Sequence, residues 1–113
     1  PASADLQPRA VPVVVRVAKA LSEVQGQVLI TGHSDNQPIR SIRYPSNWHL
    51  SQARAQSVLD IVQAQVPAQR LKAEGRAESE PVAPNDTPEN RARNRRVELM
   101  LLVPAGGVQE ATK

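Results

Sequence analysis

Two residues of opposite charge draw attention by type and position. Asp35 lies in the stretch Gly32-His33-Ser34-Asp35-Asn36, and Arg54 lies in Leu50-Ser51-Gln52-Ala53-Arg54. A carboxylate and a guanidinium at one place can hold a zwitterion, the acid taking an ammonium and the arginine a carboxylate, both through charge-assisted hydrogen bonds. Each residue also has a plainer reading. Asp commonly caps a turn, and an arginine on an apolar helical stripe can be satisfied by an internal salt bridge or by extending its head to water. Spacing alone leaves both readings open.

Other combinations are weaker. His33, Asp35 and His49 lack the tight spacing of metal ligands, so no metal or other cofactor is expected. Ser34 sits between His33 and Asp35, but adjacent residues on an extended chain point in different directions, which argues against a catalytic triad. With no nucleophile–base pair, no catalytic residue is expected. Asn85-Asp86-Thr87 matches a glycosylation sequon by chance and is followed by Pro88. The run Asn90 to Arg96 holds Arg91, Arg93, Arg95 and Arg96. Such a run can bind nucleic acid, can form a solvated face between Glu89 and Glu98, or can bring a third group to the Asp35/Arg54 rim.

The elements that must position these residues follow from periodicity and punctuation. From Pro8 to Val24, apolar residues recur at three- and four-residue steps (Val11, Val14, Val17, Ala18, Leu21, Val24), which predicts a helix with prolines at its start. Gln27 to Thr31 reads as a strand between Gly26 and Gly32. Gly32 to Trp48 is a long polar loop containing Pro38 and Pro45, and long loops in small domains are often functional. Ser46 or Asn47 can cap the next helix, from Trp48 to Val66. At 100° per residue, Arg54, Val58 and Ile61 fall within about 80° of Leu50 and Val62 lies about 120° away, so Arg54 lies on the apolar stripe. A short strand is expected at Arg70 to Glu74, a loop at Arg76 to Pro88, a short helix at Pro88 to Asn94 and a strand at Arg96 to Val103. The order α-β-α-β-(α)-β implies a two-layer α/β (α+β) fold, with helices packed on a small mixed sheet. Asp35 then lies past the carboxyl end of a strand, where ligands of open α/β sheets gather.

Composition bounds the rest. One hundred and thirteen residues make one domain, here residues 1–104 followed by a tail at 105–113. Hydrophobic residues make up 40% and aromatics 2%, so the core is Val, Leu, Ile and Ala. There is no cysteine, which excludes disulfides, thiol nucleophiles and zinc–thiolate sites. The net charge is +3 and eleven of fourteen basic residues are Arg, a bias that suits carboxylate or phosphate capture. The scarcity of aromatic rings argues against single-stranded nucleic acid. No stretch approaches the roughly 18 apolar residues of a membrane span. The chain starts at Pro1 rather than Met and reads as a fragment or processed product.

Three motifs resemble a known family. Thr31-Gly32-His33-Ser34-Asp35-Asn36, Leu50-Ser51-Gln52-Ala53-Arg54-Ala55 and Asn94-Arg95-Arg96-Val97-Glu98 resemble, in order, the signatures of the OmpA-like peptidoglycan-binding domain, over roughly Leu6 to Val103. Ser34 replaces the usual Thr. Asn36-Gln37-Pro38-Ile39 with Tyr44-Pro45-Ser46-Asn47-Trp48 is similar to the longer loop of MotB and TssL proteins. Gly75-Arg76-Ala77 through Asn94-Arg95-Arg96 looks most like TssL, of type VI secretion. The resemblance implies a β-α-β-α-β sandwich whose first strand, ahead of Pro1, is truncated here, leaving a sheet edge that can pair as a dimer. It implies that Asp35 and Arg54 hold diaminopimelate of the peptidoglycan stem peptide, with Asn47, Leu50, Asn94 and Arg95 lining the cleft. It also implies a periplasmic domain of a membrane-anchored Gram-negative inner-membrane protein. Its partners would be the stem peptide and other type VI secretion membrane-complex proteins, not nucleic acid. On this view the chain either anchors that complex to the wall or serves it as a protein-interaction module.

Overall fold

A computed structural model describes residues 6–37 and 44–103. The lead-in 1–5, the Pro38-Ile39 stretch of the long loop, the Pro104 strand stop and the 105–113 tail lie outside the described residues. A 3-10 turn at Pro8–Ala10 leads into helix α1 (Val11–Ser22). Strand β1 (Gln27–His33), helix α2 (Asn47–Val62), strand β2 (Leu71–Gly75), helix α3 (Pro88–Asn94) and strand β3 (Arg96–Leu102) follow. The strands form one mixed sheet in the order β2-β1-β3, with β2 parallel and β3 antiparallel to β1. This is the two-layer α/β arrangement the element order implies.

The core is aliphatic. Ala18, Val28, Ile30, Ala55, Val58, Val62 and Val66 are buried together, flanked by Val14, Leu21, Leu71, Val97 and Leu99. Each fully buried Val or Ile side chain is worth roughly 1.5–3 kcal/mol relative to exposure. Two members of the expected α1 stripe do not belong to it. Val17 is 38% exposed, and Val24 lies beyond the helix end at 46% exposed. Ala18 is the buried contact of α1, with Val14 and Leu21 packed beside it on the core.

β1 runs two residues past Thr31 because partners continue on both sides. His33 is opposite Arg96 in β3, and beyond β2 the Arg76 amide donates to the Gly32 carbonyl at 2.9 Å. At the other end of the strand, Gly26 adopts φ 128°, a left-handed conformation that favours glycine. Arg70 ties this corner together by donating to the carbonyls of Gly26 and Leu21. α2 ends at Val62 rather than Val66, the last residues before Pro67 continuing as turns whose Val66 is still buried.

Two glycines seat α2 on the sheet. A Cβ on Gly32 would lie 2.0 Å from the Ser51 carbonyl oxygen, and one on Gly75 would lie 2.6 Å from the Gln52 amide nitrogen. The carboxyl ends of β1 and β2 therefore touch the first turns of α2 backbone to backbone. That contact brings Arg54 beside the residues that leave β1.

Candidate functional site

Asp35 leaves the carboxyl end of β1 and is buried. Its Oδ1 accepts from the Gln37 amide at 3.0 Å, and its Oδ2 accepts from Arg95 Nη1 at 2.6 Å. The first bond is the turn-capping role that Asp often plays. The second is a close ion pair to the residue between α3 and β3. Asp35 thus combines a turn-forming bond with a charge contact.

α2 supplies the opposite wall. Ser46 is its N-cap, accepting the His49 amide, so the first helical residue is Asn47. The Asn47 side chain donates to the carbonyls of Gln37 (3.0 Å) and Asp35 (3.4 Å), fixing the loop that carries the acid. Arg54 follows two turns later and donates from Nη1 to the His33 carbonyl at 3.5 Å. Its guanidinium is held below its ordinary proton affinity, first by burial and then by the charge of Arg95, while Asp35 and Tyr44 oppose that shift. Two guanidinium groups and one carboxylate therefore share one rim. Leu50 is 4% exposed and packs with Tyr44 and Ala53, supporting the rim from beneath.

Asn94 differs from the other expected cleft residues. It is completely buried. Its Oδ1 accepts the amides of Val82 and Ala83, and its Nδ2 donates to the Ala83 carbonyl and to Asn85 Oδ1. The side chain is spent on the 82–85 loop and offers no surface to a ligand. Its effect on the rim passes through the backbone, because Arg95 is the next residue.

The other candidates part company. His33 Nε2 lies 3.3 Å from Glu98 Oε1, whereas His49 Nδ1 is 2.7 Å from Ser46 Oγ, so the two imidazoles do not converge. Among the described residues, no group of three or more His, Cys, Asp or Glu could hold a metal ion. Of the basic run, Arg95 joins Asp35, while Arg96 turns to Glu98 and to the Glu80 and Asn94 carbonyls. Glu98 is held below the ordinary range of a glutamate by its hydrogen bond with Arg96, aided by the charges of Arg96 and His33 and opposed by burial.

Sequence reasoning missed the brace behind the site. Ser51 is fully buried, and its hydroxyl accepts the Ala77 amide. The Ala77 carbonyl in turn accepts the Ser34 amide, one residue before Asp35. Ala77 has φ 51°, unusual for a residue with a Cβ. The pair of strand-end glycines, Gly32 and Gly75, was the available signal for this tight junction. Arg54 and Arg95 also border a groove of about 830 Å³ between the start of α1 and β3, floored by Val14, Val58, Val97 and Leu99.

Comparison with known proteins fits this geometry. The sequence profile of the OmpA family matches residues 1–95. Motility protein B of Bacillus subtilis is 40% identical over 88 residues, covering 76% of this chain and 33% of that protein. Peptidoglycan-binding protein ArfA of Mycobacterium bovis is 36% identical over 100 residues, covering 87% of this chain and 29% of that protein. The solved structure of the cell wall anchor of the T6SS from Pseudomonas aeruginosa superposes with a TM-score of 0.83 at 55% identity, covering 91% of this chain and 73% of that one. The chain spans about a third of the length of the curated relatives it matches.

Proposed function

This chain belongs to the OmpA family, and we propose that it is a non-catalytic module that binds peptidoglycan and anchors a type VI secretion membrane complex to the cell wall. One observation carries the reading: Asp35, Arg54 and Arg95 meet at a single rim at the carboxyl end of β1. The ligand is the diaminopimelate of the stem peptide. Asp35 takes its ammonium and Arg54 its carboxylate. Asn47 holds the Asp35 loop, Leu50 supports the rim, and Asn94 acts indirectly by fixing the backbone from which Arg95 projects. The likeness to a cell wall anchor and to a peptidoglycan-binding protein supports this assignment.

On this reading the module works in the periplasm of a Gram-negative cell, as part of a longer inner-membrane protein. Its partners are the stem peptide and other proteins of the secretion complex. A dimer formed at the sheet edge would show as a doubled mass in solution.

The test is sedimentation with purified peptidoglycan of the parent, Asp35→Ala and Arg54→Ala. Truncating one partner of a desolvated charge pair costs on the order of 2–5 kcal/mol, so both variants should remain in the supernatant. Variants that sediment as well as the parent sink the site assignment. A parent that ignores the wall but binds another complex protein in a salt-sensitive manner replaces anchoring with protein interaction.

A further inference from the structure

Asp35 is already engaged. Its carboxylate is held at 2.6 Å by Arg95, and the two side chains differ in freedom. The Asp35 side chain is 9% exposed and tied to the Gln37 amide, whereas the Arg95 side chain is 27% exposed and reaches toward solvent. The Arg95 backbone cannot follow a moving head group. It bonds back to Arg91 in α3 and adjoins the fully buried Asn94. Any rearrangement at the rim therefore falls on the Arg95 side chain.

Charge counting at the rim then matters. Arg54, Arg95 and Asp35 sum to one positive charge in a partly desolvated place. The lowered proton affinity of Arg54, caused in part by Arg95, reflects how close the two cations are. An ammonium that takes Asp35 alone would release Arg95 and leave three cations around one carboxylate. A ligand that brings a carboxylate as well gives Arg95 and Arg54 a shared counter-ion, so three cations face two carboxylates and the rim keeps the single net positive charge it had before.

We propose that Arg95 is the specificity-determining residue of this site: it competes for Asp35, so that only a ligand carrying both an ammonium and a free carboxylate can take its place. This rests on the reading of the rim as the diaminopimelate site and adds a selectivity that reading does not contain. Stem peptides whose diaminopimelate carboxylate is free are accepted, and those in which it is a carboxamide are rejected.

The experiment is calorimetric titration of two stem peptides, identical except for a free carboxylate or a carboxamide on the diaminopimelate, into the parent, R95Q, R95K and R96Q. A hydrogen bond to a charged group is worth roughly tenfold or more in affinity. The parent should prefer the free acid by about a hundredfold with two arginines on the carboxylate, and R95Q by about tenfold with one. The distinctive result is that the carboxamide peptide binds R95Q more tightly than it binds the parent, because Asp35 no longer has a competitor. A merely damaged site would bind it more weakly. R95K keeps the charge without the planar fork and should give a smaller gain in the same direction. R96Q removes an equal charge one residue away, outside Asp35's contacts, and should keep the parent's preference. An unchanged or weaker carboxamide affinity in R95Q and R95K overturns the assignment, as does a collapse of the preference in R96Q. A parent that binds both peptides equally defeats this inference alone. A parent that binds neither defeats the diaminopimelate reading beneath it as well.

Discussion

Replacing Asn94 with alanine should unfold the loop that frames the site, although Asn94 touches no ligand. The side chain makes four hydrogen bonds within 2.8–3.1 Å, all to the 82–85 loop. Each such bond contributes a net 0.5–1.5 kcal/mol, roughly, and a buried group left unpartnered costs about 1–3 kcal/mol. The Ala83 amide and carbonyl belong to a residue only 8% exposed, so water cannot readily substitute there. A loss of about 3–5 kcal/mol follows. In a domain of this size that is a fall in Tm of roughly 12 °C or more. Urea denaturation of the parent and N94A, followed by circular dichroism, gives the difference directly. Asn94→Asp offers a second check. It keeps the acceptor for the two amides but sets a carboxylate against the Ala83 carbonyl and Asn85 Oδ1, so it too should destabilise. A loss below about 1 kcal/mol in N94A, the size of a single ordinary hydrogen bond, would refute the view that Asn94 is the pin of this loop.

Two further perturbations probe the frame. Gly32→Ala places a methyl 2.0 Å from the Ser51 carbonyl. It should cost several kcal/mol, about the size of an overpacked core, and push α2 from the sheet; an unchanged urea midpoint would contradict the close approach. Glu98 has a folded pKa below its ordinary 4.5. Its contribution to stability is therefore present above that value and is lost as pH falls through the folded pKa. Acid titration of the melting temperature should show a shallower decline in Glu98→Gln than in the parent, and parallel curves would exclude the Arg96 and His33 contacts as the cause.

Much of this architecture was legible in the sequence because local chemistry and tertiary need agree. Gln27 to Thr31, between Gly26 and Gly32, and Arg96 to Val103 read as strands, and strands run at Gln27–His33 and Arg96–Leu102. Ser46 offered itself as a cap and is one. The discrepancies arise where tertiary partners decide. β1 extends through His33 because Arg96 and the residues after β2 continue the ladder, which no local pattern announces. Val17 and Val24 follow helical spacing, yet α1 packs chiefly through Ala18, where a small side chain permits close approach. At the site, types and spacing pointed to Asp35 and Arg54. They did not indicate that Arg95 already holds Asp35, because a basic run looks the same whether its members face water, the sheet or an acid. The role of Asn94 was hidden for a similar reason. An Asn before two arginines suggests a polar cleft residue, and only its burial and four bonds reveal a brace.

The central claim is that an acid on the β1 loop and an arginine on α2 recognise one zwitterionic end of the stem peptide. Calorimetric titration of a diaminopimelate-containing stem peptide into the parent, D35N and R54Q tests it most directly. The account predicts saturable binding to the parent and at least a thirtyfold loss in each variant, about 2 kcal/mol at the lower limit for a broken buried charge pair. Equal affinity for all three proteins would contradict it.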